Sequence, residues 1–228
     1  MRTTLPSAPF GRKALEAARV RVLSQGDHTK PEIWLAQLHG RRYVIKDVSR
    51  MPALLRATYG RLSIWLEACA YTRLGEVDFA PAFLGLLDPW AFVMEYYEGA
   101  LFANLKDEAL KRRALVQMEA AVESLHQRPI AHGDLRRAAN VMVTPEAKIA
   151  FIDWGTSMHF DHWPTHPLLK LLLSWWQRED RRAIPKWKRL CGNDLLTPHD
   201  ELLESQEPPG RMLSRRLRRV AKLISGGH

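Results

Sequence analysis

Residues 132–143 read HGDLRRAANVMV, and residues 152–157 read IDWGTS. An aspartate (Asp134), an asparagine six residues on (Asn140) and a second aspartate (Asp153) thus fall in two polar loops set between apolar runs. Two carboxylates and an amide on short loops are hard oxygen donors that can hold a metal ion and polarise a hydroxyl. The same residue types also build ordinary turns, because Asp and Asn side chains bond nearby backbone. The flanking sequence has to choose between these uses.

Upstream, the chain alternates as strands do. Residues 18–23 (ARVRVL) form a strand candidate, and EIWLAQL (32–38) and RRYVIKDV (41–48) form a hairpin about a His39-Gly40 turn. Residues 61–74 carry apolar side chains at Leu62, Trp65, Leu66, Cys69, Ala70 and Leu74, a helical stripe closed by Gly75. AFLGLLD and AFVMEYY supply two more strands around Asp88-Pro89. From Asp107 the period becomes helical, with Leu110, Leu115, Met118, Val122 and Leu125 on one face of residues 108–126. NVMV and KIAFI are short strands joined by a turn at Pro145-Glu146, and helices are expected at 167–178, 179–191 and 211–224. This order predicts an α+β fold of two lobes in one domain. Residues 1–95 form a small lobe with a five-stranded sheet and one helix, residues 96–228 a short helical lobe, and a cleft lies between them.

Composition narrows the function classes. With 228 residues and 46% hydrophobic residues the chain can bury a core. Cys69 and Cys191 are the only cysteines and lie in no CxxC pattern, which argues against a disulfide scaffold or a zinc site and suits a reducing cytoplasm. The N-terminal stretch has no apolar segment of the kind a secretory signal needs, and no run approaches the ~20 apolar residues of a spanning helix. A cytoplasmic protein is expected, at most peripheral at an inner membrane face. The formal charge of +9 favours acidic partners such as nucleotides, phosphorylated sugars or anionic lipid. No base-stacking or groove-reading motif supports nucleic acid as a partner.

Two further residues belong with the loop aspartates. Lys46 ends the apolar strand YVIK, where its neighbours turn it into the structure, either as a phosphate-binding ammonium or as a snorkelling edge lysine. Glu67 lies at the margin of the helical stripe, and a carboxylate there wants a partner unless it faces solvent.

Taken together these pieces resemble the protein-kinase-like fold. YVIK resembles the strand-three V-A-I-K and Glu67 the helix-C glutamate. FVMEYYEG resembles a gatekeeper and hinge, HGDL…N the catalytic loop H-R-D-L-x-x-x-N, and IDWG the D-F-G motif. The order matches over residues 18–158. The resemblance implies ATP and Mg²⁺ as cofactors and phosphoryl transfer to a hydroxyl. It assigns Lys46 to the α- and β-phosphates, oriented by Glu67, and Asp153 to the metal, with Asn140 as a second ligand or a loop strut. Asp134 is assigned to the acceptor hydroxyl, and the backbone of Glu95 and Tyr97 to the adenine.

The sequence departs from that pattern in named places. The Asp-to-Asn spacing in the catalytic loop is longer by one residue, within RRAA. The loop SQGDHTKPEIW lacks G-x-G-x-x-G, so Gly26 with its polar neighbours is the candidate cover for the phosphates. Gly133 stands where H-R-D has its arginine, which makes control through a phosphorylated activation loop improbable. The A-P-E segment and a long helical lobe are missing. The closest resemblance is to compact bacterial lipopolysaccharide (Kdo and heptose) kinases, with the RIO and Bud32 kinases as cousins. It implies a sugar or glycolipid acceptor first, a protein Ser/Thr second, and a catalytically weak nucleotide-binding pseudokinase third.

Three lesser features complete the sequence. His159, His162 and His166 are read as a loop after the D-F-G-like motif rather than as a metal site. Trp163, Trp175, Trp176 and Trp187 are read as core packing. Leu213, Leu217, Val220 and Ile224 form a stripe flanked by Arg215, Arg216, Arg218, Arg219 and Lys222. That basic amphipathic helix is expected to pack on the helical lobe, and its arginine face suits an anionic membrane surface.

Overall fold

A computed structural model describes residues 5–205. The tail helix expected at 211–224, and with it the membrane-facing surface, lies outside the described residues. Among those described, no helix is long and apolar enough to cross a membrane.

The first lobe is a five-stranded antiparallel sheet with a helix on each face. Helix α1 (Arg12–Ala17) precedes β1 (Arg19–Ser24), β2 (Glu32–Leu38) and β3 (Arg41–Asp47). The β2–β3 turn has positive φ at both His39 (50°) and Gly40 (75°), the backbone that lets a two-residue loop follow the twist of its strands. A helical turn at Ala53–Leu55 and a π-helical segment at Arg56–Gly60 lead into α2 (Arg61–Leu74), which ends at Gly75 with φ 67°. Then come β4 (Phe83–Asp88) and β5 (Ala91–Glu95), giving the sheet order β1-β2-β3-β5-β4.

Strand alternation divides the sheet into two cores. Trp34, Ala36, Tyr43, Ile45, Ala91 and Val93 pack with Leu15 of α1 on the outer face. Leu35, Val44, Phe92 and Met94 face the other way and join a larger core that runs unbroken into the second lobe. Helix α1 was not foreseen. Its Arg12 reaches the carboxylates of Asp47 and Asp88, a pairing between residues far apart in sequence.

Helix α2 also departs from the sequence expectation. Its buried residues are Ile64, Glu67, Ala68, Cys69, Ala70, Tyr71 and Leu74, whereas Leu62, Trp65 and Leu66 are exposed. The buried face is thus rotated toward the side that carries Glu67. Tyr71 stacks on Phe83 at 5.6 Å between ring centroids and meets Trp154 at 6.2 Å. A fully buried aromatic of this size is worth about 2–3 kcal/mol, so the helix is clamped between the sheet and the IDWG segment.

In the second lobe, β6 (Ala100–Leu101) is followed by α3 (Glu108–His126), whose first turn is capped by Asp107 accepting from the Leu110 amide. Strand β7 (Ile130–Ala131) leads into the HGDLRRAAN segment. The hairpin β8 (Val141–Val143) and β9 (Ile149–Phe151) and the short β10 (Met158–His159) follow. The chain closes with α4 (Pro167–Arg181), α5 (Ala183–Cys191) and α6 (Pro198–Ser205), so the break expected near residue 178 comes after Arg181. Trp154 and Trp187 are fully buried, Trp175 and Trp176 are half-buried and pack edge to face, and Trp163 is exposed rather than core. His159 pairs with Ile130 across β10–β7, and His166 caps α4.

Candidate active site

The site lies where the inner face of the sheet, α2 and the IDWG segment meet. Lys46 sits on β3 opposite Ile33 and Phe92, so apolar neighbours direct its chain inward. Its Nζ donates to Glu67 Oε2 at 2.6 Å and to Asp153 Oδ1 at 2.9 Å. Glu67 is buried, while the Asp153 side chain keeps 49% of its surface open. Three charges therefore share a corner that is closed on the Glu67 side, with one carboxylate facing the cleft.

Electrostatics follow from that geometry. Burial works against the charge on Lys46, but Glu67 and Asp153 outweigh it and hold the ammonium above the ordinary lysine range. Burial, reinforced by Asp153, raises Glu67, and Lys46 opposes it. Burial also raises Asp153, yet Lys46 wins and holds that carboxyl below its usual range. Asp153 is thus kept ionised. Its backbone is left-handed, at φ 65°, an uncommon conformation for a non-glycine residue that turns its carboxylate toward the lysine.

The catalytic-loop segment brings Asp134 and Asn140 together despite the extra residue. Asn140 Nδ2 lies 3.0 Å from the Asp134 carbonyl and 3.2 Å from its Oδ2. The surplus is taken up by a 3₁₀ turn at Ala138–Asn140, and the Asn140 carbonyl accepts the Ile152 amide at 2.9 Å, tying the two loops. His132 is buried. Its Nδ1 accepts the Asp134 amide and its Nε2 donates to the Ile152 carbonyl at 3.0 Å, so the ring is the neutral tautomer. Burial lowers its pKa accordingly.

Asp180 on α4 is the residue the sequence hid. Within WQREDRRA it looks like one solvated charge among many, yet it is fully buried. Its two oxygens accept the amides of His132 and Gly133, each at 2.8 Å, and Oδ2 also meets His126 Nε2 at 3.1 Å. Trp187 Nε1 holds the Leu135 carbonyl and Lys186 Nζ the Arg136 carbonyl. The spacing of Gln177 and Asp180, one turn apart and both inward, was the available signal.

Gly133 has a structural reason. Its φ is +83°, and a Cβ there would lie 2.7 Å from the Thr156 carbonyl and 2.8 Å from Trp176 Nε1. The indole of Trp176, donating to that same carbonyl, occupies the space that the side chain of an H-R-D arginine would need.

Gly26, the candidate cover for the phosphates, lies in a loop that bonds within itself. The β1–β2 loop turns its amides inward, with Thr29 and Lys30 both donating to Asp27 Oδ1. A Cβ on Gly26 would fall 2.8 Å from the Glu32 amide, so glycine serves close packing of the hairpin upon itself. Gly26 also lines a cavity of about 510 Å³ with Arg19, Glu32, Asp47 and Arg50. Asp47 and Lys46 are successive strand residues and point to opposite faces, so this cavity is on the outer face, away from the cleft.

At the hinge, the Glu95 amide is taken by the Ala82 carbonyl and the Tyr96 amide by the Arg42 carbonyl. What Glu95 would offer a base is therefore its carbonyl. The Tyr97 ring turns away to line a second cavity of about 630 Å³ with Phe79, Gln117 and Ile149, and burial pushes its hydroxyl pKa up to about 12.

Two comparisons with known proteins bear on the fold. Residues 72–171 match the RIO domain family, a stretch under half of the chain that carries Asp134, Asn140 and Asp153 but begins after Lys46 and Glu67. The chain is also similar to "Sucrose non-fermenting protein kinase 1" of Fusarium virguliforme, 25% identical over 143 residues. That alignment takes in 60% of this chain and 20% of the relative, so the chain spans about a fifth of the curated relative it matches. The fold is protein-kinase-like. Lys46, Glu67 and Asp153 meet directly, and Asp134 with Asn140 lies on the neighbouring loop.

The donor set fits a nucleotide with magnesium. Mg²⁺ takes one or two protein oxygens and completes its shell with phosphates and water, and an ionised, half-open Asp153 beside Asn140 is such a partial site. Among the described residues no larger cluster of metal-ligating side chains is present.

Proposed function

We propose that the chain is an ATP- and Mg²⁺-dependent phosphotransferase that moves the γ-phosphoryl group to a hydroxyl. The observation that carries this reading is the Lys46 ammonium held between buried Glu67 and half-open Asp153, with Asp134 fixed by Asn140 on the neighbouring loop. Bound nucleotide with magnesium would supply the activated phosphoryl group. The chain's own residues supply position and charge. Lys46, kept rigid by Glu67, neutralises phosphate oxygens, Asp153 presents ligand oxygens, and Asp134 orients and receives the acceptor proton.

The RIO-domain match and the relative's description as a protein kinase support a Ser or Thr hydroxyl of a protein as acceptor. The sugar or glycolipid acceptor draws no support from those comparisons. The test is transfer of label from γ-labelled ATP with Mg²⁺ into a cell lysate split into protein and lipid-glycan fractions, with Asp134→Asn as control. Label in protein that needs Asp134 is the expected result, and label only in glycan would replace the acceptor. Asp153→Ala should remove transfer, and Lys46→Ala should reduce it by about 10²-fold or more. Full rate in Asp153→Ala would end the phosphotransferase reading, and nucleotide binding without transfer would leave a pseudokinase.

A further inference from the structure

The cavity walled by Tyr97 is one that the proposed reaction does not use. Its volume of about 630 Å³ suits a small-molecule site, and none of Lys46, Glu67, Asp134, Asn140 and Asp153 lines it. The space originates in the sequence of α3. Gln117, Ala120, Ala121 and Ser124 recur at helical spacing and line the cavity, while Met118, Val122 and Leu125 turn into the core. Small side chains at Ala120, Ala121 and Ser124 leave the gap open.

The floor is apolar and firmly held. Phe79 and Ile149 are buried, the Phe79 ring packs on Phe151 at 6.0 Å, and the Phe79 carbonyl accepts the Phe151 amide at 2.8 Å. A flat ring laid on that floor would gain dispersion contacts over its whole face.

The Tyr97 hydroxyl is the informative atom. It is buried and has no hydrogen-bond partner among the described residues. Buried hydroxyls are nearly always bonded, so an orphan in the wall of a cavity marks a place for a ligand atom. Burial, seconded by Glu146, pushes its pKa up to about 12, so at neutral pH the group keeps its proton and can donate. Ser124, Gln117 and the exposed Lys148 can donate too, whereas Asp78 is the one carboxylate of the lining. Such a lining calls for a ligand rich in acceptor oxygens. A carboxylate supplies two of them, with a charge that suits Lys148.

We propose that this cavity is a binding site for a small aromatic carboxylate, its ring on Phe79 and Ile149 and its oxygens taken by Tyr97 and Lys148. The site is separate from the nucleotide cleft and stands whether or not the chain transfers phosphate.

The test titrates the full chain with naphthoate, naphthamide and naphthylmethylammonium, which share a ring system and differ in charge, and reads affinity by calorimetry. Naphthoate should bind most tightly and the ammonium most weakly. Tyr97→Phe should weaken naphthoate about tenfold without lowering the melting temperature, because it removes a hydroxyl that has no partner in the protein. Lys148→Gln should weaken it about threefold. Ala120→Trp, which fills the cavity from an exposed helix position, should abolish binding in a chain that still folds. Saturating ADP with Mg²⁺ should leave naphthoate affinity unchanged. Full affinity in Tyr97→Phe, tighter binding of the ammonium, or displacement by ADP would each overturn the proposal, as would the lack of saturable naphthoate binding to the wild type.

Discussion

Two of the loops that depart from the sequence pattern are treated by the fold in opposite ways. The catalytic loop is one residue too long, yet its ends meet. The β1–β2 loop lacks the expected glycines and folds onto its own Asp27. The difference is what each is anchored to. Residues 132–136 are gripped by Asp180, Trp187 and Lys186 from two helices, so an inserted residue can only bulge outward. The β1–β2 loop is exposed and is held through Asp27, Thr29 and Lys30 within itself. An anchored loop keeps its geometry through a change of length, whereas an unanchored one satisfies its own backbone.

The largest effect should come from cutting the anchor. Asp180→Ala leaves two buried amides without acceptors at about 1–3 kcal/mol each, and it frees the backbone that aims Asp134. A melting temperature lowered as that loss demands, with phosphate transfer down by about 10²-fold or more, is expected. Near wild-type values in both would show that the loop is held elsewhere. Next is Gly133→Ala. The left-handed backbone alone costs a residue with a Cβ about 1–2 kcal/mol, and the contacts with Thr156 and Trp176 add to it. Transfer should fall clearly, while the paired variant Gly133→Ala with Trp176→Ala should recover part of it. No recovery would mean that backbone strain, not the indole, sets the cost.

Gly26→Ala probes the other loop and should do less. Its Cβ would press on Glu32 and Lys30 backbone, so some stability is lost as the hairpin shifts. KM for ATP should nevertheless stay within about twofold, because the loop's amides already point to Asp27. A tenfold rise in KM would return this loop to the phosphates and erase the contrast between the two.

How far the sequence could be read follows from the same distinction. That Lys46 meets Glu67 was legible because each polar group interrupts an apolar period, where a buried charge needs a partner. Asp180 was not, because its arginine-rich neighbours mask a side chain whose partners are backbone amides some 50 residues away, and amides leave no letter in a sequence. The face of α2 was misjudged for a related reason. Leu62, Trp65 and Leu66 satisfy a helical stripe as well as the residues that are buried, and it is long-range partners, Lys46 for Glu67 and Phe83 and Trp154 for Tyr71, that fix the rotation. Helix α1 depends on Arg12 finding Asp47 and Asp88, which no local pattern encodes.

Acid provides the mildest way to separate the loops. His132 is buried and neutral, and burial lowers its folded pKa below the ordinary value of 6.5. The unfolded chain therefore takes up a proton first as pH falls through 6.5, and the contribution of His132 to stability, complete above that pH, declines toward its lowered folded value. The decline is at most about 1.4 kcal/mol for each unit of pH. Asp27 has the opposite charge type. Hydrogen bonds from Thr29 hold its carboxyl below the usual 3.8, so what it contributes is present above that value and fades only as pH falls through the folded pKa. Between pH 7.5 and 5.5, hydrogen exchange corrected for intrinsic rate should show residues 130–137 losing protection while residues 25–31 hold theirs. Equal loss in both would mean that the acid response is global, coming from groups such as His159, whose pKa burial pushes down to about 4, and not from the ring beneath the catalytic loop.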